Sequence, residues 1–476
     1  MDFRRLIMAI GLSAIMLLSA NAALGEVVRE IYISSSLGDD SNPGTKARPK
    51  RSINSLTPVE RGNSRILLKR GDVFFGYFIE LAGCEIGAYG RGDMPVVSGF
   101  RVLKNPDAWE AAGDGLWRLD MSRDGNFTGI SPRLASKPRL FNDIGCIYNP
   151  TTDSIYGHIV KDMGSMRKEG DIYTSESFDF SSPEAAEFRY VYLRLQDNPR
   201  ALGNLCFSTY QHGISEVKNS VVKDICFIGF ARHGACGMTG CRMENCRFDV
   251  IGGAVQVGYK NWVRYGNGVE FWSNCYDNVV ERCTITRTYD CATTIQGSGA
   301  IPADPRNIHF RDNRIAYCRQ AFEYFLNATG RDAQFVDCSF TGNLCYMMGQ
   351  NGFSSPEPRD ADILCYSRKP TPIDISRNIF YGAPYFCSRS ANSLMRDNDV
   401  YIYSGQYLNY FWIKDYRPLN AGNIDALRQF RADFGDNSRI TVVERGSTED
   451  RAMSRKLLKK LALKPVNLRL GQLLER

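Results

Sequence analysis

The chain has 476 residues, with 59 Lys or Arg against 52 Asp or Glu, for a net charge of +7. Hydrophobic residues make up 43% and charged residues 23%, which excludes a disordered chain and a chain embedded throughout in a membrane. The length allows two or three ordinary domains, or one long repeat domain with appendages, and its core needs no covalent staples. The charge is uneven. From Arg451 onward eight basic residues face a single acid, Glu475, and near the start Arg4 and Arg5 face Asp2, so the body is almost neutral. A nucleic-acid-binding body is not expected on that balance.

At the amino terminus Arg4 and Arg5 precede an apolar run from Leu6 to Leu18. Ala20-Asn21-Ala22 then offers a small-x-small cleavage site, and Ala23-Leu24-Gly25 a second. This is the pattern of a secretory signal peptide, and it is short for a membrane span, with an uncleaved anchor as the alternative. Residues 1–25 are read as an export signal. The mature chain is expected to be periplasmic or extracellular, with no transmembrane anchor.

Residues 105–215 hold Trp109 and Trp117, then Gly- and Pro-rich stretches, then Tyr190 to Leu195, which alternates as a half-buried strand. From Val221 a short phrase returns: Glu244-Asn245-Cys246-Arg247-Phe248, Glu281-Arg282-Cys283-Thr284-Ile285, Arg311-Asp312-Asn313-Arg314-Ile315. Its central column reads Ile225, Cys246, Cys283, Asn313, Cys338, Asn378, Asn398, at spacings that fit single solenoid coils or coils with loop insertions. Inward Asn in such a column can build an amide ladder, and Cys is a small residue that fits the same slot. Cys246, Cys283 and Cys338 are therefore read as core. No metal site is expected, because structural zinc needs four convergent ligands and none of His158, His212, His233 and His309 pairs with Cys at finger-like spacing. Cys236 and Cys241 are the best local disulfide candidate among the 15 Cys. Beyond 415, Ile424 to Phe434 suits a helix, and Met453 to Leu463 a basic one. The basic helix is expected either to cap the solenoid's open end or to bind a surface.

These phrases carry a resemblance. Ile31-Tyr32-Ile33-Ser34 leads into GDDSNPG at residues 38–44, Arg70-Gly71-Asp72-Val73-Phe74 and Ala88-Tyr89-Gly90-Arg91-Gly92 follow, and Gly268-Val269-Glu270-Phe271-Trp272 lies among the coils. The chain resembles the right-handed parallel β-helix proteins of the pectate-lyase-like superfamily, in particular exported bacterial carbohydrate-active ones. The resemblance implies an all-β solenoid with first coils at 26–104, an inserted β-rich unit at 105–215, further coils at 216–415 and a helical carboxy-terminal cap at 416–476. It does not choose a reaction, since that superfamily includes lyases, hydrolases, epimerases and adhesins.

Sugar-cleaving sites need carboxylates on an exposed face. Gln256, Glu270, Gln296 and Glu323 each follow an apolar residue and would project outward. Glu270 and Trp272 would share a face, placing a carboxylate beside an aromatic platform. Glu270, Asp290 and Glu323 form the expected catalytic pool, without acid and base assigned, and Asp277 lies on a nearby turn. The loop Tyr259 to Tyr265 mixes cations and aromatics. Lys260, Trp262 and Arg264 from this loop, with Trp272 and Gln296, are the expected substrate-binding residues. His212 and His233 are further base candidates. The bland alternative makes these acids solvated or turn-capping. Three functions stay open: hydrolysis of glycosidic bonds, a lyase on a uronic-acid polymer using Lys260 or Arg264, and non-catalytic glycan binding. No cofactor is expected, calcium belongs only to the lyase reading, and the partner is a polysaccharide bound by a monomer.

Overall fold

In the computed structural model most of the chain winds into coils of three short strands. The structure describes residues 29–130, 142–174, 188–256, 263–353, 360–365, 367, 373–388, 394–410, 419–420, 422–423, 425, 428, 431–432 and 437–474. The expected export signal, Lys260, Trp262 and most of the expected helix at 424–434 lie outside them.

One coil runs through Ile214–Lys218, Val221–Lys223 and Cys226–Phe230, and the next through Ala235–Thr239, Arg242–Glu244 and Arg247–Ile251. Corresponding strands pair in parallel, so the coils build three ten-stranded sheets, here first, second and third in the order a coil visits them. Alternation makes this possible. In Val269–Trp272 the Val269 and Phe271 side chains are buried while Glu270 and Trp272 face outward. Inside, like residues stack on like: the Phe227 and Phe248 rings lie 5.2 Å apart and nearly parallel.

The bend from the second sheet to the third explains the repeated phrase. One residue there takes positive φ, as Asn245, Arg282, Asp312, Gly342 and Arg377 do. The next residue turns inward and accepts the backbone N–H of its counterpart in the preceding coil. Asn343 Oδ1 accepts from the Asn313 backbone at 2.9 Å, Asn378 Oδ1 from Asn343 at 2.8 Å, and Asn398 Oδ1 from Asn378 at 2.9 Å. Each amide nitrogen also caps a carbonyl of an earlier strand, as Asn343 Nδ2 caps Phe310 O at 3.1 Å. The column is therefore Cys246, Cys283, Asn313, Asn343, Asn378, Asn398. The sequence reading misplaced Cys338 in it. Cys338 sits five residues earlier, in second-sheet strand Val336–Thr341, opposite Ile308. It is core nonetheless.

None of the fifteen cysteines is in a disulfide, and fourteen are buried. The expected Cys236–Cys241 bridge does not form, since the Cys241 thiol points to the carbonyls of Val217 and Thr239.

The chain leaves the solenoid after Val96–Ser98 and returns at Ile214–Lys218, which stacks directly on Phe78–Ala82. Between them lie two five-stranded, mainly antiparallel sheets. Trp109, Leu119, Val191, Leu193 and Phe207 pack together there.

The carboxy-terminal helix Thr448–Leu461 lies on the outer face of the third sheet, not across an open end. Leu457 and Leu461 are buried against Tyr346, Tyr381 and Tyr403, and Tyr403 donates to Asp450 at 3.1 Å. The stretch from Val466 to Leu474 then packs near Val73, Phe75 and Val96, in the first coils. The apolar stripe that a surface-binding helix would need is thus occupied by the solenoid.

Candidate functional site

The outer face of the first sheet carries a groove of about 820 Å³. Glu270, Asp290, Glu323, Arg264, Trp272 and Gln296 all line it. Register explains why. Glu270 pairs with Thr294, which pairs with Glu323, so the two glutamates stand two rungs apart in one outward column. Trp272, Gln296 and Phe325 form the next column, with the Trp272 and Phe325 rings 6.1 Å apart edge to face. Trp272 is 36% exposed, which is open enough to offer a sugar-stacking face.

A second side-chain ladder borders these columns, at the corner where the chain joins the first sheet. His233 donates its backbone N–H to His212 Nδ1 at 3.1 Å, and Asn267 donates to His233 Nδ1 at 3.1 Å. Cys291 donates to Asn267 Oδ1 at 3.2 Å. The imidazoles of His212 and His233 stack at 5.3 Å. Because each Nδ1 accepts, the proton of each neutral ring sits on Nε2. His233 Nε2 then lies 3.3 Å from Glu270 Oε2. Asn267 Nδ2 donates to the same oxygen at 2.6 Å.

Electrostatics separate the groups. Burial, helped by the charge of Arg232, holds His233 down at about 3 and His212 well below the usual imidazole range, so both stay neutral. Burial and the neighbouring Asp290 push Glu270 up to about 7, against the Asn267 hydrogen bond. Burial and Asp290 also raise Glu323 well above the carboxylate range. Gln296 Nε2 donates to Glu323 Oε2 at 2.9 Å and the Cys291 thiol lies 3.4 Å from it. Gly266 permits this crowding. A Cβ there would meet Asp290 N at 2.6 Å and Asp290 Cβ at 2.8 Å.

Asp290, Cys291 and Glu323 bring ligand atoms within 4.8 Å of one another, as a small cation would need. Two carboxylates and a thiol fall short of the six to eight oxygens calcium takes.

Three expectations change. Arg264 borders the groove, but its side chain is fully buried and faces Asp143 at 3.9 Å, so it braces the wall from behind. Gln256 also borders the groove, yet it belongs to an excursion in which Val255 bridges Arg264 antiparallel, outside the Glu270 column. Asp277 lies in second-sheet strand Tyr276–Glu281 and accepts from Asn307 at 2.9 Å, away from the groove. The sequence reading did not single out Arg232, Asn267 or Cys291. They stand at coil corners, where the alternation of a strand gives no signal.

The family described as a right handed beta helix region matches residues 191–355. The chain is a right-handed parallel β-helix. No curated protein sequence matches it. Among solved structures, this β-helix is similar to XylC in complex with xylose at 10% identity, over 87% of this chain and 82% of that one, with a TM-score of 0.49. It is similar to the GH136 lacto-N-biosidase from Eubacterium ramulus at 12% identity, over 87% and 67%, with a TM-score of 0.39. It is also similar to the family 28 exopolygalacturonase of Yersinia enterocolitica at 10% identity, over 87% and 78%, with a TM-score of 0.27. At these identities the likeness concerns fold alone. No helix among the described residues is long and apolar enough to cross a membrane.

Proposed function

We propose that the chain hydrolyses glycosidic bonds of a polysaccharide in this groove. The observation that carries the reading is the convergence of Glu270, Asp290 and Glu323 beside an aromatic platform, with Glu270 pushed up to about 7. A carboxyl still protonated near neutrality suits a general acid. Glu270 protonates the leaving glycosidic oxygen. The Asp290–Glu323 pair, whose oxygens lie within 4.8 Å, holds one proton more readily than none, and its ionised member takes a proton from the attacking water. Glu270 and Glu323 are two rungs apart, about 10 Å between Cα atoms at the usual strand spacing. The separation of the carboxyl groups across the groove sets whether the anomeric configuration is inverted or retained. Trp272 and Phe325 stack on sugar rings, and Gln296 orients Glu323.

Elimination is disfavoured on one count: of the two expected charge neutralisers, Lys260 lies outside the described residues and the Arg264 side chain has no exposed surface. The test is reducing-end release from a panel of neutral and acidic polysaccharides by the wild type and by Glu270→Gln. Hydrolysis by the wild type with at least a hundredfold loss in the variant supports the reading. Equal rates contradict it.

A further inference from the structure

Three guanidinium groups border the groove, and two are engaged. Arg264 donates to Gly253 O and faces Asp143, while Arg319 Nε donates to Asp360 at 2.8 Å. Arg232 differs. It is half-buried, its Nε has no hydrogen-bond partner, and among the described residues it makes no ion pair. Its one side-chain bond is from Nη2 to the Tyr265 hydroxyl at 3.2 Å. Two rings hold its plane in place, with Cζ 4.6 Å from the Tyr265 centroid and 5.2 Å from the Tyr210 centroid.

We propose that Arg232 anchors an acidic substituent, a carboxylate or a sulfate, on the sugar unit bound on the amino-terminal side of Glu270. This rests on the reading of the groove as a glycan-cleaving site. Four observations support it. A partly desolvated cation without a counter-ion gains from an anion more than a solvated one does. The planar fork matches both oxyanions, and stacking on two tyrosines fixes it before substrate arrives. The adjacent His212 and His233 are neutral, so they neither compete for the anion nor spread the positive charge. Arg232 lies just ahead of strand Ala235–Thr239, which stacks on the Glu270 strand, and its charge acts on the Glu270 carboxyl.

The placement has a consequence for the acid. Arg232 is the positive charge that pulls against the raised proton affinity of Glu270. An anion seated on Arg232 cancels that pull and keeps Glu270 protonated. An acidic substrate thereby primes its own proton donor. Selectivity is local, since the body of the chain is nearly neutral and offers no general attraction to polyanions.

The test uses the full chain carrying Glu270→Gln, which binds without turnover, and titration calorimetry. The probes are oligosaccharides of galacturonate, mannuronate and glucuronate, each against its carboxyl-reduced counterpart, and a sulfated oligosaccharide against its desulfated form. At least tenfold tighter binding of one acidic member over its neutral partner is expected. Adding Arg232→Ala should abolish that ratio, and Arg232→Lys should keep part of it. The carboxyl and sulfate arms tell the two oxyanions apart. A ratio near one for every pair, or a ratio that survives Arg232→Ala, overturns the proposal. Cleavage without acid preference by the wild type would remove this subsite and leave hydrolysis standing. Arg232-dependent binding with no cleavage would do the reverse.

Discussion

His233 Nε2 lies 3.3 Å from Glu270 Oε2, and the backbone N–H of Asn267 occupies the other ring nitrogen. The ladder that stacks one coil on the next thus also fixes the tautomer beside the acid. Asn could fill the same rung, as it does at Asn267. His233→Asn should keep accepting the Asn267 N–H while falling short of Glu270. Loss of an N–H dipole beside the charged form raises a carboxyl's proton affinity. The alkaline limb of the kcat/KM profile should therefore move to higher pH in His233→Asn, with circular dichroism unchanged. An unmoved limb would remove His233 from the account of Glu270.

Glu270 itself makes two predictions of sign. Its carboxyl is raised from 4.5 to about 7 in the folded chain. As the proton donor it should give wild-type kcat/KM an alkaline limb near pH 7. The same shift acts on stability. A raised carboxyl contributes fully below its unfolded value of 4.5 and loses that contribution as pH rises through about 7. Urea midpoints should show Glu270→Gln gaining on the wild type between pH 4.5 and 7, and a gap that widens toward acid instead would contradict the direction.

Gly266→Ala should disturb both fold and rate. The added Cβ would meet Asp290 backbone and side chain below 3 Å, and neither can swing away. Overpacking of this kind costs about 1–3 kcal/mol. The urea midpoint should fall, and activity should drop beyond what lost folded protein explains, because Asp290 moves.

The second-to-third-sheet ladder separates two residues that the sequence confused. Asn343 makes hydrogen bonds to Asn313, Asn378 and Phe310 O, whereas Cys338 packs and makes only weak thiol contacts to the carbonyls of Pro305 and Val336. Asn343→Ala should cost about 2–4 kcal/mol by leaving buried groups unpaired, against about 1 for Cys338→Ala. The same free thiols can be counted: Ellman's reagent should find 15 in denaturant and almost none that react quickly in the native chain.

That confusion shows what was legible. Coil period and strand alternation stand in the sequence, and they gave the solenoid, the outward Glu270 and Glu323, and the Trp272 platform. Val336-Asp337-Cys338-Ser339-Phe340 copies the ladder phrase because Asp337, like Gly342, takes positive φ just ahead of an inward residue, here at the start of a second-sheet strand. Arg232, Asn267 and Cys291 stayed hidden because their partners lie a coil away, across spacings that loop insertions make irregular. Arg264 read as a loop cation, and nothing local signalled that Asp143 would bury it.

The most direct test of the central claim is a proton NMR time course of the products that the wild type and Glu270→Gln form from a cleaved polysaccharide. The account predicts saturated sugars released in a single anomeric configuration by the wild type, and at least a hundredfold slower release from Glu270→Gln. Unsaturated product ends, or undiminished release by Glu270→Gln, would contradict it.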